Sequence, residues 1–225
     1  MKAAVIGASG LIGGHIVDTL IKSGFISEIV LLVRKELDIS SQKVRQIHVD
    51  FQNETSFRNA LSGVDVVFCS IGTTQAKVKG DLVAYRKVDY DIPVNAAAYA
   101  ASQGCKHFLL VSSVGADARA SNFYLKIKGE VEDAVLSTSI PFISIFRPSM
   151  LLGQRNEFRL GERIGQALMK SLSFLIPSRY KPIDAKAVAS AMVVAALKME
   201  QPSKNILEYK DMVSLLANRT GDSVQ

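Results

Sequence analysis

Lys2–Leu20, KAAVIGASGLIGGHIVDTL, decides the fold by its spacing. Ala3–Ile6 is a short apolar run that stops at Gly7, after which Ile12, Ile16 and Leu20 recur at helical intervals. The pattern is a buried strand passing into an amphipathic helix through a glycine-rich turn. Gly7, Gly10 and Gly13 answer separate demands: a tight turn, close approach of backbone N–H groups to a pyrophosphate, and a helix lying close on the sheet. The helix N-terminus adds partial positive charge for phosphates. Ala8 stands where the commonest dinucleotide fingerprint has its second glycine. Context therefore supports the reading: the turn follows a strand and opens a helix. Dinucleotide binding is the expectation, and a purely structural turn is the alternative.

A chain of 225 residues suits one sizeable α/β domain, alone or with a small appended lobe. It contains no 18-residue apolar run, so no membrane span is expected, and its first residues do not resemble a signal peptide. Cys69 and Cys105, the two cysteines, lie in or beside apolar strand-like segments. They read as core side chains rather than a disulfide, and the expected location is cytoplasmic. The net charge of +6 is spread along the chain, without a dense Lys/Arg run or aromatic-basic alternation. Nucleic-acid binding is not expected, whereas a ligand with several phosphates suits a basic bias. His15, His48 and His107 are dispersed, and no metal-ligand cluster is expected.

Glu28–Val33 is a second apolar strand, followed by Arg34 and Lys35 where such folds usually place an acid for the ribose 2′-hydroxyl. A guanidinium there pairs with a 2′-phosphate, so the cofactor expected is NADP(H). A charge-assisted contact of about 1.5 to 3 kcal/mol corresponds to roughly ten- to hundredfold preference. The alternative is a solvated basic turn. Val44–Val49 reads as a third strand ending at Asp50, an acceptor for the adenine amino group or simply a turn residue. Ser56–Leu61 is a short helix. Asp65–Cys69 is a fourth strand that runs into Ser70-Ile71-Gly72-Thr73-Thr74, small residues past which a cofactor ribose fits. A long helix from about Leu82 to Gln103 contains Pro93, which predicts a kink or a late start. His107–Val111 then delivers Ser112 and Ser113 to the carboxyl end of a fifth strand, where open α/β sheets place ligands.

Tyr124 and Lys128 follow within a helical segment Phe123–Leu136, and the spacing of four puts phenol and ammonium on one face. A neighbouring ammonium favours the phenolate, so Tyr124 can exchange a proton with a substrate hydroxyl or carbonyl. Lys128 can also hold the nicotinamide ribose, while Ser113, one residue farther out than Ser112, orients the substrate oxygen. Tyr124 is the only tyrosine with a lysine four residues later. The bland alternative is an exposed helix with a half-buried aromatic ring.

GASGLIG, the VSS strand end and Tyr124-x-x-x-Lys128 resemble the atypical branch of the short-chain dehydrogenase/reductase superfamily. More narrowly, SSVGADARASNFYLKIKGEVE and FRPSMLLGQRNEFRLGE are similar to the Tat-interacting-protein-like NAD(P)H-binding oxidoreductases, over nearly the whole chain. The resemblance implies an α/β fold of Rossmann type, a doubly wound parallel sheet with a small C-terminal substrate lobe. The domain expectation is a single NAD(P)-binding domain over 1–225, with 148–225 contributing the lobe. By position, Ser9, Gly10, Leu11 and Ile12 would line the pyrophosphate, Arg34 and Lys35 the 2′-phosphate, and Ile71 and Gly72 the adenosine side. Leu151 and Arg159 would meet the cofactor from the far side. Tyr124 would be the proton donor or acceptor and Lys128 its partner. The chain departs from many extended relatives by carrying Asp89 where they place the asparagine of a proton relay.

After the strand Phe142–Phe146, Arg147-Pro148 begins the lobe. Arg155, Arg159, Glu162 and Arg163 form a charged cluster at helical spacing, suited to an anionic substrate or the cofactor phosphates or else to a salt-bridged surface, and Ile164–Ile176 carries the apolar stripe of a helix packed on its own domain, with a membrane-surface helix as the alternative. Ile183–Lys198 reads as a helix and Asn205–Tyr209 as a last short strand. The expected activity is hydride transfer to or from a small carbonyl or alcohol substrate, in a monomer or homodimer. The alternatives are an NADPH-sensing regulator or scaffold with little turnover and an epimerase or dehydratase that retains its cofactor.

Overall fold

Within β1 (Lys2–Ile6), Ala3 and Val5 face one layer and Ala4 and Ile6 the other, all fully buried. An apolar run without alternation needs cover on both faces. The computed structural model, which describes residues 1–153, 177–198, 201 and 203–221, supplies that cover. The sheet contains β1, β2 (Glu28–Val33), β3 (Val44–His48), β4 (Val66–Cys69), β5 (His107–Val111) and β6 (Phe142–Phe146). β7 (Leu151–Leu152) and β8 (Ile183–Asp184) form a separate parallel ribbon, and β9 (Ser203–Leu207) completes the main sheet. The main order is β3-β2-β1-β4-β5-β6-β9 with every pair parallel. The connections reverse direction between β1 and β4, which opens a crevice at their carboxyl ends.

In chain order the helices are α1 (Leu11–Lys22), α2 (Glu54–Ala60), α3 (Leu82–Arg86), α4 (Ile92–Ser102), α5 (Phe123–Leu136), α6 (Ala185–Leu197) and α7 (Tyr209–Gly221). α1, α6 and α7 contribute to one hydrophobic layer, and α2, α4 and α5 to the other. This is the doubly wound, Rossmann-type α/β fold that the glycine turn implies.

The differences from expectation have local causes. The helix expected over 82–103 runs unbroken from Leu82 to Ser102 but contains a π-helical turn, Lys87–Asp91, between α3 and α4. Pro93 lacks an N–H and its ring clashes with the carbonyl four residues back, at Asp89; a widened turn there relieves both problems. The helix expected from Ile183 begins at Ala185, because Asp184 caps it by accepting from Lys186 N–H at 2.7 Å. The last strand lies two residues earlier than expected, and Tyr209 opens α7 instead of closing a strand. Of the stretch 148–225, β9 joins the main sheet and α6 and α7 its covering layer, while β7 and β8 stand apart. The charged cluster Arg155, Arg159, Glu162 and Arg163 and the apolar stripe of Ile164–Ile176 lie outside the described residues.

Candidate functional site

The glycine turn closes on itself and on the end of β4. Gly7 has φ +92°, a conformation L side chains rarely adopt, and a Cβ there would lie 2.8 Å from Ser70 C and Ile71 N. Gly10 N–H donates to Gly7 O at 2.9 Å. A Cβ on Gly13 would lie 2.0 Å from the same Gly7 oxygen, so the helix crosses the turn at a distance only glycine allows. Gly10 caps α1 without a side-chain hydrogen bond, and the first turn of α1 holds no acidic residue. Its leading N–H groups thus face the crevice between β1 and β4, a cradle suited to a pyrophosphate. The Ile71 backbone N borders the turn at Gly7, Gly72 faces Asp89, and Gly153, just past Leu151, approaches Leu11: a Cβ there would lie 3.2 Å from Leu11 Cδ2.

Arg34 and Lys35 are exposed at the carboxyl end of β2, one strand away from the turn. Asp50 is also exposed; its Oδ1 accepts from Gln52 N–H at 2.9 Å, which accounts for an acid at this turn. Arg159 lies outside the described residues.

At the end of β5 the two serines part company. Ser112 is buried, and its hydroxyl donates to Glu132 of α5. Glu132, 2% exposed, also accepts from Arg147 at the end of β6, with Nε at 3.0 Å from Oε1. The bonding to Glu132 raises the Arg147 guanidinium above its ordinary pKa. Ser112, Glu132 and Arg147 therefore fasten β5, α5 and β6 together. Ser113 is half-buried, and its hydroxyl makes only a 3.4 Å contact to the neighbouring Val114 carbonyl.

α5 is capped by Asn122, which accepts from Leu125 N–H at 3.1 Å. Its face carries Tyr124, 39% exposed, and Lys128, 8% exposed, with Nζ 5.9 Å from the Tyr124 ring centroid. Lys128 Nζ lies 3.1 Å from Asp89 Oδ1, and the other Asp89 oxygen accepts from Thr73 N–H at 2.7 Å. Cys69, at the end of β4, feels both charges, but burial dominates and pushes its thiol up to about 12. The structure thus joins the turn at residues 7–13, the loop from Ser70 to Thr73 and the face of α5 along one edge of the sheet.

Sequence reasoning missed two members of this arrangement. Gly129 lets the loop after β5 lie on α5: a Cβ there would meet Ala118 N at 2.1 Å and Asp117 C at 2.2 Å. A glycine inside a helix, costing about 1 kcal/mol relative to alanine, was the available signal. Glu132 was legible as the next step of the face that carries Tyr124 and Lys128. Among the described residues no helix is long and apolar enough to cross a membrane, and no group of His, Cys, Asp and Glu could hold a metal ion.

A parallel doubly wound sheet with a nucleotide cradle at its switch point defines a dinucleotide-binding α/β protein. Comparison with known proteins gives the family. The model for NAD(P)H-binding proteins matches residues 7–197. The rat protein HTATIP2 is 34% identical over 214 residues, covering 94% of this chain and 87% of that protein. "Protein FMP52, mitochondrial" from Eremothecium gossypii is 31% identical, covering 96% of this chain and 97% of the relative. Among solved structures, MoeE5 in complex with UDP-glucuronic acid and NAD superposes with a TM-score of 0.71 at 17% identity, over 98% of this chain and 83% of that one. A UDP-glucose 4-epimerase from Thermotoga maritima superposes with a TM-score of 0.68 at 15% identity, over 100% and 84%. The chain belongs to the NAD(P)H-binding family, within the atypical short-chain dehydrogenase/reductase group that includes the HTATIP2 and FMP52 proteins.

The expectation of a cytoplasmic location is corrected by these comparisons. Fungal relatives covering nearly all of the chain carry "mitochondrial" in their names. Two buried thiols argue against a disulfide but do not distinguish one reducing compartment from another, which is why the sequence argument failed.

Proposed function

We propose that the protein is an NADP(H)-dependent oxidoreductase acting on a small carbonyl or alcohol. The observation that carries this reading is the pairing of a buried, tethered Lys128 with an accessible Tyr124 on the same helix face. The bound nicotinamide would supply or accept the hydride. In the reductive direction, Tyr124 donates its phenolic proton to the substrate oxygen as the carbon becomes an alcohol carbon, and a proton from solvent restores the phenol. Lys128 stabilises the phenolate between those events, and Ser113 orients the substrate oxygen, since Ser112 is occupied with Glu132. Ser9, Gly10, Leu11 and Ile12 hold the pyrophosphate; Ile71, Gly72 and Leu151 flank the nucleotide. Arg34 and Lys35 take the 2′-phosphate, and Asp50, whose Oδ1 is held by its own turn, has Oδ2 for the adenine amino group. The location proposed with this function is mitochondrial, and the fungal relatives' names support it.

Tyr124→Phe tests the assignment in a cofactor-consumption assay over a carbonyl library. The variant should bind NADPH like the wild type and lose turnover by roughly 10²- to 10⁴-fold. Unchanged turnover removes Tyr124 from the chemistry, and equal affinity for NADPH and NADH overturns the role of Arg34. A wild type that consumes no cofactor with any carbonyl, yet binds NADPH, favours a sensing role.

A further inference from the structure

We propose that Asp89 is a positioning residue for Lys128, acting through one carboxylate that binds the ammonium and the loop after β4 together. The inference rests on the function proposed above. Asp89 is 1% exposed and spends both oxygens: Oδ1 lies 3.1 Å from Lys128 Nζ, and Oδ2 accepts from Thr73 N–H at 2.7 Å. It therefore joins three segments that no local hydrogen bonding connects: the π-helical turn, α5 and the loop bordering the nucleotide crevice. Gly72 keeps the approach open, since a Cβ there would stand 3.3 Å from Asp89 Oδ1. The π-helical turn carries Asp89 at this point, and Pro93 calls for such a turn at that level of the helix.

A buried ammonium and a buried carboxylate are each costly alone and tolerable as a well-bonded pair. The pair is nearly neutral, so Lys128 acts on its surroundings through directed N–H groups more than through a bare charge. An ammonium has three donors. With one drawn towards Asp89, the other two have fixed directions, and a side chain with four rotatable bonds is held at one end of its range. The function of the carboxylate is thus to set where Lys128 points. The phosphates bind at the glycine turn, so their affinity should be nearly independent of it.

The test is a double-substitution cycle with Asp89→Asn, Lys128→Met and the pair, using the carbonyl substrate found in the library assay. Asp89→Asn should lower kcat ten- to a hundredfold, with KM and the NADPH Kd within threefold of wild type. In the Lys128→Met background the same substitution should change kcat by less than twofold, because there is no ammonium left to position. Additive losses would overturn the proposal, as would a kcat for Asp89→Asn within twofold of wild type. If Asp89→Asn alone fails to fold, the doubly substituted protein has no unpaired buried charge, and its kcat against Lys128→Met decides the matter: equality supports the proposal, and a tenfold deficit overturns it. Tyr124→Phe in the same assay separates the two readings. Its loss of turnover together with normal Asp89→Asn kinetics refutes only the positioning role, whereas retained turnover in Tyr124→Phe removes the proton donor that the function proposed above assigns.

Discussion

Replacing Gly13 by alanine puts a single carbon where the turn has no room for it. That carbon would lie 2.0 Å from Gly7 O, 2.7 Å from Gly7 C and 2.9 Å from Ser70 Oγ. Ordinary carbon–oxygen contact begins at roughly 3.3 Å, so the helix and turn must separate by about 1 Å. The turn cannot simply retreat: Gly7 O is engaged by Gly10 N–H at 2.9 Å, and Gly7 backs directly onto the Ser70–Ile71 backbone. Overpacking of this kind costs about 1–3 kcal/mol of stability. A shift of about 1 Å in positioned groups costs on the order of a hundredfold in function. Fluorescence titration of NADPH should therefore show a hundredfold rise in Kd, with a melt that remains cooperative at lower temperature. Gly14→Ala is the matched control, because its Cβ would find its nearest contact, Ala8 O, at an ordinary 3.7 Å. It should bind normally and melt slightly higher, by the about 0.5–1 kcal/mol that alanine gains over glycine in a helix. Near-normal binding by Gly13→Ala, or equal damage from Gly14→Ala, would refute the close-approach argument.

Gly129→Ala should force the loop at Asp117–Ala118 off α5, lowering turnover sharply while leaving NADPH affinity near wild type; limited trypsin digestion at Arg119 would report the displaced loop. His107 is buried against Ser144, with Nε2 2.9 Å from Oγ, and burial lowers its pKa from 6.5 to about 4. The folded state therefore keeps the ring neutral while the unfolded chain takes up a proton as pH falls through 6.5. Stability from this group is fully present above that pH and is lost down to about 4, at about 1.4 kcal/mol per pH unit. Urea unfolding of His107→Asn should show a flatter profile over that window; the same slope in both proteins would refute the assignment.

The sequence revealed what is local and periodic. β1, β2, β5 and β6 are continuous apolar runs, and their limits fall within a residue of the expected ones. The edge strand β9, SKNIL, is mostly exposed and has no alternation, so its limits slipped, and the helix beginning at Tyr209 was mistaken for its end. The two-residue strands β7 and β8 are too short to carry any period. At the site, residues four apart on one helix were legible, which is how Tyr124 and Lys128 were found. Asp89 was noticed only as an unusual residue, because its contact with Lys128 spans two helices and depends on a π-helical turn that no apolar pattern encodes. The contrast between Ser112 and Ser113 depended on Glu132, whose inward aim is a property of packing.

The packing of α1 against α6 has a consequence for synthesis. The apolar side of α1, including Ile16 and Leu20, emerges from the ribosome before part of its cover, Val188 to Ala196, which is encoded more than 160 residues later. At about 5–20 residues per second, that interval lasts on the order of ten to thirty seconds. During it the apolar side of α1 lacks the cover that the later helix gives it in the finished fold.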